Sequence, residues 1–214
     1  MRYQKKERSM PMMQARRALA LLLHIVPILA AAASPDNGTD FIRASCGETL
    51  YPDVCYSSLS SYAGSVQQSP GQLARAAIAV SLASAQKMAA YLANLSRTHA
   101  ADPGAEPPAA SAALRDCVTN MGDAVGEIRG SLKQMRQLAT AGAASQEGFR
   151  FQMSNVQTWM SAALTDEDTC TDGFEDVPDG PVKSDVCNRA GEVEKVMSNA
   201  LALVNSYVNK EAPP

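Results

Sequence analysis

Beyond residue 68 the apolar positions of this chain recur at steps of three and four, the spacing of one face of an α-helix, and they show almost no strand-like alternation. Ser69-Pro70 reads as a helix start, a capping serine followed by proline in the first turn. From there Ile78, Leu82, Ala85, Ala89, Leu92 and Leu95 form one stripe, which the Pro/Gly/Ala composition of His99–Pro108 is expected to end. The clearest stripe follows: Leu114, Cys117, Val118, Met121, Val125, Ile128, Leu132, Met135 and Leu138, interrupted by Thr140–Gly148. A third runs through Met153, Val156, Met160, Ala163 and Leu164, with Trp159 beside it at the core or its rim, and stops at Asp172–Pro181. The fourth joins Val186, Ala190, Val193, Met197, Ala200, Leu201, Val204 and Val208. Each predicted helix is roughly 20 to 30 residues, or about 30 to 45 Å long. The short connections predict an all-α fold, an antiparallel up-down-up-down four-helix bundle over residues 69–214, with alanines allowing close helix approach. Ahead of it, residues 34–68 carry two short helices, around Asp40–Cys46 and Tyr51–Leu59, joined by a Thr49–Pro52 turn into a helical hairpin whose apolar side Tyr51 and Tyr56 cover.

The first 33 residues have a different organisation. Arg2, Lys5, Lys6, Arg8, Arg16 and Arg17 precede an apolar run, Ala18–Ala33, that closes on the small residues Ala31, Ala32 and Ala33. A basic region, a short apolar region and small residues at the end form a secretory signal peptide, and the run, interrupted by Pro27, is short for a membrane span. Its removal takes six basic residues and one acid (Glu7), so the net charge of -3 becomes -8 for residues 34–214. So acidic a surface argues against nucleic acid and anionic membranes as partners and favours a basic protein. Export also makes the sequons Asn37-Gly-Thr and Asn94-Leu-Ser glycosylation candidates, and an oxidising compartment favours disulfides.

Five cysteines admit fifteen ways of forming two bridges. Cys46 and Cys55 lie nine apart across the predicted hairpin turn. Cys117 and Cys170 are symmetric about position 143.5, inside the connection between the second and third bundle helices, so folding back there brings them together if those helices are antiparallel neighbours. Cys187 is left as a free thiol at the core edge of the fourth helix.

Chemistry-bearing motifs are sparse. With His24 in the signal segment, His99 is the sole histidine of the exported chain and reads as an exposed loop residue. There is no Gly-rich phosphate loop, no His-Glu-x-x-His and no Gly-x-Ser-x-Gly, so no catalytic residue, metal site or cofactor is expected. Asp166 and Asp168 form a carboxylate pair without any sign of a buried, shifted member, which leaves glycosidase chemistry unsupported. Seven acids and no basic residue lie between Thr165 and Val182. A calcium-loop frame from Asp168 through Asp172 and Gly173 to Asp179 fails, because Cys170 and Pro178 fall at its third and eleventh positions. The stretch therefore reads as a solvated helix end or as an acidic partner-binding surface held rigid by the second bridge.

Several blocks carry a resemblance. Cys46-Gly-Glu-Thr-Leu-Tyr-Pro-Asp-Val-Cys55, Ala113-Leu-Arg-Asp-Cys117 with Met121–Ile128, Gln157–Phe174, and Ser198–Asn205 resemble, in order, the plant invertase and pectin methylesterase inhibitor family. That resemblance implies a secreted, non-enzymatic cell-wall protein of the apoplast, a single inhibitor domain over 34–214 with two disulfides and a free fifth cysteine. Such a protein binds its target enzyme stoichiometrically and blocks the substrate cleft, and it is expected to be a monomer before the complex forms. The Trp159–Phe174 block is similar to the branch acting on pectin methylesterase, and the Pro-Lys-Phe tripeptide associated with invertase inhibitors is absent. Acid invertase is the alternative target; a non-inhibitory secreted acidic binding module is the alternative of another class. Carried over by position, the partner-contacting residues are Asp116 and Asp123 on the second bundle helix and Thr169 and Asp172 around Cys170. The chain departs from the family between Leu138 and Met153, where Gly142 and Gly148 predict a longer connection.

Overall fold

A computed structural model describes residues 35–101, 107–142 and 145–211; the expected signal segment, 1–33, lies outside the described residues. Four long helices form the bundle: α4 (Pro70–Ala101), α5 (Pro108–Ala141), α6 (Gln146–Asp172) and α7 (Pro181–Glu211). They pack in a ring, α4 on α5, α5 on α6, α6 on α7 and α7 on α4, and no strand occurs among the described residues. Ahead of them lie α1 (Pro35–Gly47), α2 (Pro52–Leu59), a 3-10 turn (Ser60–Tyr62) and α3 (Ala63–Val66).

The four stripes became the core. Ile78 and Leu92 of α4, Met121 and Ile128 of α5, Met153 and Met160 of α6, and Met197 and Val204 of α7 are all fully buried. Ala85, Ala124, Ala163 and Ala190, one from each helix, are also at 0% exposure, which is how small side chains let the axes approach. Trp159 is half-buried and lies over Gly130, whose added Cβ would meet its ring at 3.4 Å.

Helix ends differ from the sequence expectation where composition, not capping, set it. Ser69 does cap α4, its Oγ accepting from the Gln72 N–H at 3.3 Å. That helix, however, runs past His99 to Ala101. His99 is therefore not an exposed loop residue: it is half-buried in the last turn, its Nδ1 shut off from solvent, because the two alanines that follow it, Ala100 and Ala101, favour continuing the helix. The expected long connection after Leu138 is also shorter, confined to residues 142–145. Gly142, at φ 68°, ends α5 in a conformation that costs glycine nothing and gives its N–H to Leu138 O at 3.0 Å. Ser145 then caps α6, accepting from the Gly148 N–H at 3.0 Å, so Gly148 is the first turn of a helix.

The hairpin is stapled by Cys46–Cys55 and leans on α4 and α7. Gly38 of α1 lets the backbone of α3 come close, since a Cβ there would stand 2.7 Å from Ala63 O. Tyr56 stacks beneath the Arg43 guanidinium, 3.9 Å from the ring centre. Tyr51 turns outward from the hairpin to α7. Asn199 of α7, 3% exposed, grips the Tyr51 backbone at both ends: its Nδ2 donates to Tyr51 O at 2.9 Å and its Oδ1 accepts from the Tyr51 N–H at 3.1 Å. A buried amide that satisfies both polar groups of one peptide is a directional latch between segments 148 residues apart. Asn199→Ala leaves the Tyr51 N–H unpaired, while Tyr51 O keeps its bond from the Cys55 N–H at 2.9 Å, and is expected to cost about 1–2 kcal/mol. Urea unfolding measures the loss; hydrogen exchange places it, with amides of α1 and α2 deprotected while the α5–α6 core is not.

Candidate functional site

The α5–α6 pair is fixed by one covalent bond and an antiparallel register. Cys117 and Cys170 are bridged with their Cα atoms 4.2 Å apart, closing a loop of 53 residues. Ser131 lies 14 residues after Cys117 and Val156 lies 14 before Cys170, and the Ser131 hydroxyl donates to Val156 O at 3.4 Å, both sides of the contact being buried. Gln134 and Gln152, one turn further on, meet amide to amide at 3.3 Å. The hairpin rests on α4 and α7, so the outer surface of α5–α6 is left to carry charge.

The four residues expected to contact a partner all lie on that pair and are all exposed. Asp116 and Thr169 immediately precede the two bridged cysteines, and Asp172 is two residues past the second, so the disulfide holds these three at one level across the helices. Asp123 lies two turns along α5, about 10 Å away. The Thr169 hydroxyl donates back to Thr165 O at 2.7 Å, which spends its proton within the helix and presents its lone pairs as acceptors.

The acidic stretch is built against local stability. Asp168 and Asp172 occupy the last turn of α6, which has no basic residue, so anions sit where the helix dipole is already negative. The first five positions of the frame considered for calcium, Asp168–Asp172, are helical backbone, with Cys170 buried in its bridge. Among the described residues no group of three or more His, Cys, Asp or Glu is placed to hold a metal ion. After Gly173 the connection to α7 is anchored and not simply a solvated loop. Phe174 at 0% and Val177 at 6% exposure plug the end of the bundle, and the Lys183 ammonium donates to Val177 O at 2.8 Å and Glu175 O at 3.2 Å. Cys187 is unbridged and half-buried, and burial pushes its thiol pKa up, away from reactive thiolate.

One feature of this surface was missed. Asp166 does have a shifted partner, but it is Glu127 across the α5–α6 seam, not its neighbour Asp168. Burial, then the charge and hydrogen bond of Asp166, then the charge of Asp123, push the Glu127 carboxyl up to about 7. Asp166 is raised by its own burial, while the bond from Glu127 pulls it down again. Both carboxyls are thus held toward the protonated form, and Oε2 of Glu127 is shut off from solvent without a hydrogen-bond partner among the described residues. The signal was present in the four-residue step from Asp123 to Glu127, which places both on one face of α5. Its significance required the register of the opposite helix. The result is a band of carboxylates, Asp116, Asp123, Glu127, Asp166 and Asp172, on a stiff helix pair.

Residues 40–203 match the family profile described as plant invertase/pectin methylesterase inhibitor. Over 179 residues the chain is 41% identical to pectinesterase inhibitor 3 of Arabidopsis thaliana, covering 83% of this chain and 84% of that protein. It is 40% identical over 187 residues to a 21 kDa protein of Daucus carota, covering 87% and 92%. A crystal structure of a mutant form of a pectin methylesterase inhibitor from Arabidopsis superposes with a TM-score of 0.55 at 22% identity, over 75% of this chain and 92% of the other, a likeness of fold. From the paired cysteines to the last bundle helix, the chain belongs to the plant invertase/pectin methylesterase inhibitor family.

Proposed function

We propose that residues 34–214 form a secreted inhibitor of pectin methylesterase that acts in the cell wall by laying the α5–α6 face over the enzyme's substrate cleft. The observation that carries this is the kinship to named pectinesterase inhibitors over 83% of the chain, joined to a rigid acidic face that stability alone does not explain. The protein itself performs no chemistry. A partner whose cleft is rimmed by Lys or Arg fits Asp116, Asp123 and Asp172, while Thr169 accepts a hydrogen bond. Because the disulfide has already ordered these side chains' backbone, docking loses little conformational entropy. Rim charges of this kind mainly speed encounter and make association salt-dependent.

Two experiments follow. Purified mature protein titrated into a plant pectin methylesterase is expected to abolish ester release at a 1:1 ratio. The Thr169→Ala/Asp172→Ala double variant should weaken inhibition by about tenfold or more, roughly 1.4 kcal/mol, with unchanged helicity. Loss of sucrose cleavage by an acid invertase, with no effect on several esterases, would instead assign the chain to the other branch of the family.

The second concerns pH. A partner cation stabilises ionised Glu127, so binding below pH 7 must expel its proton. Inhibition is therefore expected to strengthen between pH 6 and pH 8, and Glu127→Gln to remove that part of the dependence. A variant retaining the full wild-type profile would exclude Glu127 from the interface.

A further inference from the structure

A second carboxyl on α6 has no place in the surface just described. Glu167 belongs to the apolar stripe of its helix, in line with Met160, Ala163 and Cys170, and it is 1% exposed. Its Oε1 is shut off from solvent and has no hydrogen-bond partner among the described residues. A charge desolvated in this way is costly unless paired, and every charged group acting on Glu167 is an anion. Glu194 of α7 is foremost among them, followed by Asp168 and Asp172 of its own helix. The thiol of Cys187, one stripe position from Gly191 on α7, also feels it. At Gly191, between Cys187 and Glu194, an added Cβ would meet no atom within 4 Å, so the α7 surface there has room for a side chain to move. Lys183, the cation at this end of α7, has its ammonium committed to the carbonyls of Glu175 and Val177 and to Asp179.

Glu194 is also a hinge in the contact network. Its Oε1 accepts from the Tyr51 hydroxyl at 3.4 Å, and one turn later Asn199 holds the Tyr51 backbone. The foremost anion acting on Glu167 thus also helps to seat the hairpin.

We infer that the Glu167 carboxyl, buried in the apolar stripe of α6 without a partner, is a proton-operated release: gain of charge there repels Glu194 of α7 and loosens both the hairpin and the disulfide end of the bundle. The device is internal to the inhibitor and independent of any enzyme it meets. Burial first, and the three acids second, hold the proton on Glu167 up to about pH 8, whereas in the unfolded chain it leaves in the ordinary carboxylate range. The folded state therefore binds more protons over that interval. The stabilisation is complete below the unfolded value, declines as pH rises, and is gone once pH passes about 8. The molecule is stiffest in acid and relaxes on alkalinisation.

Thermal unfolding of the free protein from pH 5 to pH 9, wild type against Glu167→Gln, tests this without an esterase, so its outcome is separate from that of the inhibition assay. One proton's difference corresponds to a fall in midpoint of about 3–5 °C per pH unit, and the variant's slope is expected to be smaller by that amount, keeping only the part that Glu127 and Asp166 contribute. Hydrogen exchange, corrected for intrinsic rates, should show residues 51–59 and 163–170 losing protection together above pH 8 in wild type alone. Equal pH slopes in the two proteins, or equal hairpin protection at pH 6 and pH 9, would overturn the inference. If the variant does not fold, the carbon-13 carboxyl resonance of Glu167 in wild type decides: a midpoint near 8 supports the device and one below about 5 refutes it.

Discussion

The bridge between Cys117 and Cys170 is the constraint on which the rest of the molecule depends. As a crosslink closing 53 residues it removes denatured-state freedom equivalent to about 4 kcal/mol in the chain-entropy view. Its larger effect is on register. A slip of one residue turns a helix by about 100°, enough to carry a contact stripe off its neighbour. With the two sulfurs joined, the Ser131–Val156 bond, the Gln134–Gln152 pair and the seat of Trp159 over Gly130 all occur at matching heights. The same bond sets Asp116 beside Thr169 and Asp172, and allows Glu127 to reach Asp166. Structure and charge pattern on this face are consequences of one register.

The four-helix core was legible in the sequence because burial in a bundle imposes a period, and a period survives without knowledge of neighbours. Ile78 to Leu95, Leu114 to Leu138 and their counterparts needed only counting. Both bridges were legible for related reasons, one from a short turn and one from symmetry about a connection. Helix ends were less so. His99 was assigned to a loop because Pro and Gly follow it, yet proline restricts mainly the residue before it, and alanine continues a helix readily. Phe174 and Val177 were hidden in an acidic, glycine-containing segment whose average composition reads as loop, although single side chains plug the core from it. Asn199 could not be found by local pattern at all. It looks like one more polar residue on α7, and its role exists only because a turn 148 residues earlier arrives beside it.

The candidate surface divides the same way. Asp116, Asp123, Thr169 and Asp172 came from resemblance, and the structure places all four on one exposed helix pair without testing what they touch. Glu127, Asp166 and Glu167 required three dimensions, because a carboxyl's pKa depends on burial and on charges contributed by another helix. Sequence presented Asp166, Glu167 and Asp168 as three equivalent acids. The fold gives them three different environments: shared across a seam, buried without a partner, and solvated.

Those environments give the acids competing demands on pH. A cation arriving from a partner is best met when Glu127 has lost its proton, whereas the stiffness that makes docking entropically cheap is greatest while Glu167 keeps its own. Glu127 lies on α5 and Glu167 on α6, and burial holds both carboxyls above the ordinary carboxylate range. Surface attraction then rises as internal rigidity falls, so neither acid nor alkaline conditions serve both. Acids at the negative end of a helix and an unpaired carboxyl in its buried stripe both work against stability. Their coexistence within six residues of Cys170 is accounted for if the disulfide supplies enough constraint for that end of the bundle to tolerate charge placed for binding and for response to protons.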